Sequence, residues 1–120
     1  MQTPNNDLQE TPHRYRQIKI SVIGRKSGRT ISIPVWFVLE GEKLNLLPVR
    51  GAETQWYKNV LQNPSIRIDA RGVEERFRAK PITGAKAVKS VVEKFREKYG
   101  AQDVKKYYAK FDVAAVVQLT

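Results

Sequence analysis

Between Ile18 and Val35 apolar side chains stand at every second position on both sides of a glycine-bracketed turn. Ile18, Ile20 and Val22 alternate with Lys19 and Ser21, Gly24-Arg25-Lys26-Ser27-Gly28-Arg29 follows, and Ile31, Ile33 and Val35 take up the alternation again. A period of two places successive side chains on opposite faces of an extended backbone, so each run is a half-buried strand and the pair is a hairpin. Pro34 interrupts the second run. It has no N–H to give to a ladder, which predicts an edge position or a bulge.

The remaining chain extends this pattern. Trp36-Phe37-Val38-Leu39 reads as a continuation of the second strand, and Glu40-Gly41-Glu42 as the turn into a third strand over residues 43–49. Thr54 is placed to cap a short helix in which Trp56, Val60 and Leu61 share a face, and Asn63-Pro64 stops it. Ile66, Ile68 and Ala70 alternate with Arg67 and Asp69 in a fourth strand. Arg71-Gly72 turns the chain into a fifth over residues 73–82. Val88, Val91, Val92, Phe95 and Tyr99 have helical spacing, and Gly100 ends that helix. Asp103 is expected to cap a further short helix with Val104, Tyr107 and Tyr108, before a last strand over residues 113–119. The order predicts a mainly β (α+β) fold: six strands in a mostly antiparallel sheet, closed into a small barrel with flanking helices.

With 120 residues the chain is expected to form one domain over residues 13–120. Residues 1–12 are polar, carry Pro4 and Pro12, and read as a flexible N-terminal arm. Cysteine is absent, which removes thiolate metal sites and cysteine nucleophiles, and His13 is the single histidine, so no metal site is expected. The longest apolar run, Val113-Ala114-Ala115-Val116-Val117, is too short to span a bilayer. The first residues show no apolar segment behind a basic start, so a cytoplasmic protein is expected. Lys and Arg number 22 against 12 Asp and Glu, a formal net charge of +10. Such a surface implies an anionic partner.

Four groups of residues carry candidate chemistry. The turn Gly24–Arg29 combines two glycines, the cations Arg25, Lys26 and Arg29 and the hydroxyl of Ser27, a set suited to a phosphate. It is not a P-loop, because a strand follows it and no Gly-Lys-Ser/Thr ending is present. Trp56 and Tyr57 stand side by side at a helix start, as core aromatics or as the border of a planar ligand. Tyr107 and Tyr108, among Lys105, Lys106 and Lys110, either line a polar pocket or close the barrel's end. Arg67 and Arg71 on one strand and Arg76, Arg78 and Lys80 on the next form an outer basic ladder, either solvated and paired with Glu74, Glu75 and Asp69 or open to a polyanion. No carboxylate pair is present, so cofactor chemistry, in which the protein supplies orientation, is the expectation.

Gly24-Arg25-Lys26-Ser27-Gly28, followed by Ile33-Pro34-Val35 and then Trp56-Tyr57-Lys58-Asn59-Val60-Leu61-Gln62-Asn63-Pro64, resembles the deazaflavin (F420)-dependent nitroreductase family. The resemblance runs from about Ile18 to the last strand. It implies a split β-barrel related to FMN-binding reductases, and an oxidoreductase that passes a hydride between F420 and a small organic acceptor or donor. By that resemblance Arg25, Lys26 and Ser27, with Gly28 and Arg29 in the same turn, hold the coenzyme phosphate. Pro48, Val49, Arg50 and Gly51 run along the ring, and Trp56, Tyr57 and Asn59 shape the helix beside it. Tyr107 and Tyr108 face the substrate, and these two or Tyr57 supply a proton. The sequence departs from the pattern in having Ile31 three positions before the proline and a single glycine, Gly51, in the loop before the helix. FMN is the alternative cofactor. A basic nucleic-acid-binding barrel is a further alternative, disfavoured because no aromatic row interleaves with the basic strands. Split barrels of this type often pair, so a homodimer is also among the expectations.

Overall fold

The computed structural model describes residues 17–70 and 73–119. The elements are β1 Ile18–Ile23, β2 Thr30–Val35, β3 Phe37–Glu40, β4 Lys43–Leu46, a 3-10 turn Gly51–Glu53, α1 Gln55–Gln62, β5 Ser65–Ala70, β6 Val73–Ile82, α2 Ala85–Tyr99, α3 Ala101–Tyr107 and β7 Ala114–Gln118. The N-terminal arm, His13 and Arg71 lie outside the described residues.

The sheet has seven strands, not the expected six, in the order β2-β1-β5-β6-β7-β4-β3. The difference arises at Trp36. Residues 31–39 do not form one strand: β2 pairs with β1 from Ile18↔Val35 to Ile23↔Thr30, whereas β3 pairs with β4 from Phe37↔Leu46 to Glu40↔Lys43. Consecutive strands therefore form the two opposite edges of the sheet, with one residue between them. Two edges joined by a single residue must lie side by side, so the antiparallel sheet curls into a half-barrel. Pro34 sits on the edge strand β2, where its missing N–H costs no ladder bond. β4 ends at Leu46, short of the expected Val49, because Pro48 cannot extend the ladder.

A second break lies in β6. Its first part pairs with β5 up to Ser65↔Arg78, and its second part pairs with β7 from Ala79↔Val117 onward. The Ala79 N–H at the switch donates to Pro64 O at 2.8 Å. The half-barrel thus has two seams, one at Trp36 and one at Arg78-Ala79.

The core is in two layers. Ile20, Val22, Phe37, Leu44, Leu46, Ile66, Ile68 and Val117 fill the interior, closed at one end by Trp56, Tyr57 and Val60 of α1. On the outer face, Val88, Val91, Val92, Phe95 and Tyr99 of α2 pack with Val38, Leu47 and Ala114. β3 and β7 are buried on both faces, which explains their continuous apolar sequences. Gly100, at φ 93°, ends α2 and also starts α3, so Asp103 lies within the first turn of α3 instead of capping it. Thr54 does occupy the N-cap position of α1, but its side chain does not cap the helix.

Phe95 is fully buried where α2 meets the sheet. Phe95→Ala is expected to cost about 3–5 kcal/mol in urea denaturation, as for large-to-small changes in a packed core.

Candidate functional site

At the Trp36 seam the two edges part and leave a cleft of about 730 Å³. One wall is β2, through Ile33, Pro34 and Val35. Leu47 and Val49 of the segment after β4 face it, Thr54 and Trp56 come from the start of α1, and Asp103, Tyr107 and Tyr108 come from α3. Trp36 organises the aromatic side. It stacks on Tyr99 at 4.1 Å with an interplanar angle of 11°, meets Tyr107 edge-on at 5.5 Å, and lies 5.8 Å from Tyr108. Tyr99 is fixed in turn, because its hydroxyl accepts from Phe37 N at 3.1 Å and donates to Phe37 O at 2.9 Å.

The loop of residues 48–54 is pinned on three sides. Ala109 N donates to Val49 O at 2.8 Å, Arg50 bridges Lys110, and Ala52 N donates to Asp112 Oδ1 at 3.1 Å. Gly51 adopts φ 56° against the Asp112 carboxylate, where a Cβ would collide with it. Arg50 N donates to Thr54 Oγ1 at 2.8 Å, so that hydroxyl bonds the loop before the helix and not the helix itself.

The basic turn is bonded to the same helix start. Arg25 donates to Asn59 Oδ1 from its backbone N at 3.1 Å and from Nη1 at 2.8 Å, and Nη2 donates to Gln55 Oε1 at 2.9 Å. Asn59 is buried, so this cluster locks the turn to α1. Within the turn, Gly24 N donates to Arg29 O, Gly28 N to Gly24 O and Arg29 N to Ser27 Oγ. Four backbone donors of the turn, those of Gly24, Arg25, Gly28 and Arg29, are thereby used inside the protein. What the turn presents outward is side-chain charge, on exposed Lys26 and Arg29.

The expected site residues therefore separate. Val49, Trp56, Tyr107 and Tyr108 line the cleft. Pro48, Arg50 and Gly51 support its loop. Arg25 and Asn59 brace the turn against α1, Ser27 closes the turn, and Lys26, Gly28 and Arg29 are exposed at its surface. Tyr57 is buried in the interior layer and does not line the cleft. Its phenol is pushed up by burial and, secondarily, by the Asp112 carboxylate. Burial also raises the Tyr108 phenol strongly, with Tyr99 adding to the effect, so Tyr108 is a neutral hydrogen-bonding group at ordinary pH. Sequence reasoning did not identify Trp36, Tyr99, Pro34 or Leu47 as site residues. The one signal was Pro34 inside the apolar run that breaks at Trp36. Among the described residues no cluster of His, Asp or Glu is arranged for a metal, and no helix is long and apolar enough to cross a membrane.

Residues 12–119 match the family described as an uncharacterized protein conserved in bacteria (DUF2255). The chain belongs to this family. None of the curated proteins matches it. Solved structures share the fold of this DUF2255 chain. An F420-H2 dependent reductase, FDR-A, is 18% identical with a TM-score of 0.66, over 86% of this chain and 94% of that one. HutZ, the heme storage protein of Vibrio cholerae, is 14% identical with a TM-score of 0.71, over 98% and 90%. A candidate pyridoxamine 5′-phosphate oxidase of Listeria innocua is 10% identical with a TM-score of 0.67, over 97% and 92%.

Asn59→Ala leaves Arg25 without its acceptor on α1. It is expected to cost about 1–3 kcal/mol in urea denaturation and to speed amide hydrogen exchange in the Gly24–Arg29 turn. Tyr57 and Tyr108 are both held above the ordinary phenol value of 10.0 in the folded state. Their contribution is complete below pH 10 and is lost as pH rises from there towards the raised folded values, because the unfolded chain ionises first. Denaturation series from pH 9 upward should show that loss, and Tyr108→Phe should make it smaller.

Proposed function

We propose that the Trp36 cleft holds a deazaflavin coenzyme of the F420 type and that the protein is an oxidoreductase acting on a small organic substrate. The observation that carries this reading is the joining of two unlike sites at one helix start. An apolar, aromatic-walled cleft opens at Thr54 and Trp56, and the cationic turn is bonded to Gln55 and Asn59 of the same helix. A planar ring with an anionic arm needs both. A volume of about 730 Å³ lies within the usual range for cofactor sites. The motif resemblance and the fold shared with an F420-H2 dependent reductase support the same reading.

Bound there, a deazaflavin supplies a hydride carrier that needs no protein nucleophile. The chain's residues do the rest. Trp56, Pro34 and Val35 offer flat apolar walls, and the Val49–Thr54 loop, held by Asp112, borders the opposite side. Lys26 and Arg29 attract phosphate and carboxylate groups, while Arg25 keeps the turn in place. Half-exposed Tyr107 stands at the rim, where an acceptor enters and takes a proton from its hydroxyl or from water. Tyr108, neutral and buried, orients by donating a hydrogen bond. Tyr57, on α1, packs in the interior layer and anchors that helix.

The test is a fluorescence titration of cofactor-free protein with F420 and with FMN, side by side at two salt concentrations. Saturable binding of F420 that weakens with salt is expected. Lys26→Ala with Arg29→Ala should reduce its affinity about tenfold or more, the loss of one or two charged hydrogen bonds. Preference for FMN would replace the coenzyme, and binding of neither would overturn the reading.

A further inference from the structure

The second seam carries a cavity of its own, about 720 Å³, which shares no lining residue with the Trp36 cleft. It lies where β6 leaves β5 for β7. The bond from Ala79 N to Pro64 O draws the end of α1 against this switch. The floor is apolar, formed by Leu61, Pro64 and Val116, and Leu61 is 51% exposed. The rim is cationic. Lys43 pairs in register with Gln118, and Lys80 with Val116, so the two lysines flank β7 from either side. Arg78 precedes Lys80 by two positions and shares its outward face.

Part of the positive charge on the described residues is locally paired. Lys19, Lys58, Arg67, Lys94 and Arg96 each have a carboxylate within 4.0 Å. No carboxylate lines this cavity, and Lys43, Arg78 and Lys80 form no ion pair among the described residues. Glu40, opposite Lys43 in the β3–β4 hairpin, instead meets Lys94 at 3.3 Å. Three cations that form no ion pair among the described residues, around an exposed apolar floor, attract an anion that also has apolar surface to bury.

We propose that this seam binds an amphiphilic anion, an apolar acid with a single carboxylate, sulfonate or phosphate head. The apolar body lies on Leu61, Pro64 and Val116, and the head is held by Lys43, Arg78 and Lys80. The site is independent of the deazaflavin reading. A concave apolar floor without an aromatic platform favours such an acid over a nucleic acid, whose bases need rings to stack on.

The test is an amide-resolved NMR titration of the full chain with octanoate, with 1-octanol as the uncharged control. Saturable shifts are expected at Lys43, Leu61, Arg78, Lys80 and Gln118, with octanol at least tenfold weaker. Lys43→Glu with Lys80→Glu should abolish them, whereas Lys26→Ala should not. Leu61→Asp, an exposed change on the floor, should weaken binding tenfold with the cations intact. Unchanged F420 binding and melting temperature in the Lys43, Lys80 and Leu61 variants separate loss of this site from loss of fold or of the first cleft. Shifts confined to the Trp36 cleft, equal binding of octanol, no saturable shift up to the solubility limit, or tighter binding of a single-stranded oligonucleotide lost in the same variants would each overturn the proposal.

Discussion

One residue, Trp36, separates the two edge strands of the sheet, and most of the architecture follows from that connection. A seven-stranded sheet whose edges are consecutive in the chain cannot lie open. It must curl until β2 and β3 are neighbours, although they share no ladder bonds. An unpaired edge is an aggregation hazard and leaves backbone groups unsatisfied. Here α2 supplies the missing partners: the Tyr99 hydroxyl bonds both N and O of Phe37, and Lys98 Nζ donates to the same oxygen at 2.9 Å. The docking of α2 and the closure of the seam therefore share the same hydrogen bonds. The cleft opens at that point because the edges part on either side of Trp36.

The basic composition resolves into charges with different duties. On the outer ladder, Arg67 meets Glu74 at 3.3 Å and Lys19 meets half-buried Asp69 at 3.5 Å, surface pairs worth little to stability. Arg25 is unlike these. Its three hydrogen bonds run to residues 30 and 34 positions away, and they tie a surface turn to a buried asparagine. A net charge of +10 is thus no single binding surface. It is divided among a solvated ladder, an arginine and a lysine that bond to distant parts of the chain, the further cations of α2 and α3, and those of the basic turn and the second seam.

Much of the sheet was legible in the sequence, because alternation with period two is imposed by burial of one face. β1 and β5 show it in sequence and burial alike, β2 only in sequence, since Ile31 stays exposed and Ile33 and Val35 are half-buried, and the five apolar residues of α2 show the helical period. The break at Trp36 was not legible. β3 is buried on both faces, so Phe37-Val38-Leu39 reads as an uninterrupted extension of β2, and nothing local distinguishes a strand that continues from one that changes partners. Asp103 had the chemistry of a cap but stands one turn too far along, since Gly100 alone makes the reversal between α2 and α3. At the site, residue type predicted charge and aromaticity but not direction. An arginine in a glycine-rich turn looks the same whether it faces a phosphate or a buried amide. Only the approach of Asn59, 34 residues distant, decides it.

The same approach bears on how the cleft works. Its titratable lining is small, Asp103 with Tyr107 and Tyr108, and the more buried tyrosine is held neutral by its surroundings. Trp36, by contrast, is stacked, edged and anchored through Tyr99 to the backbone of the next residue. The loop facing it is pinned by Asp112 and by two backbone contacts. The positions of these walls are set by the closure of the barrel itself, which suits the orientation of the planar ligand proposed to bind there. In the reading proposed above a bound coenzyme supplies the reactive atom, and walls of this kind supply its orientation.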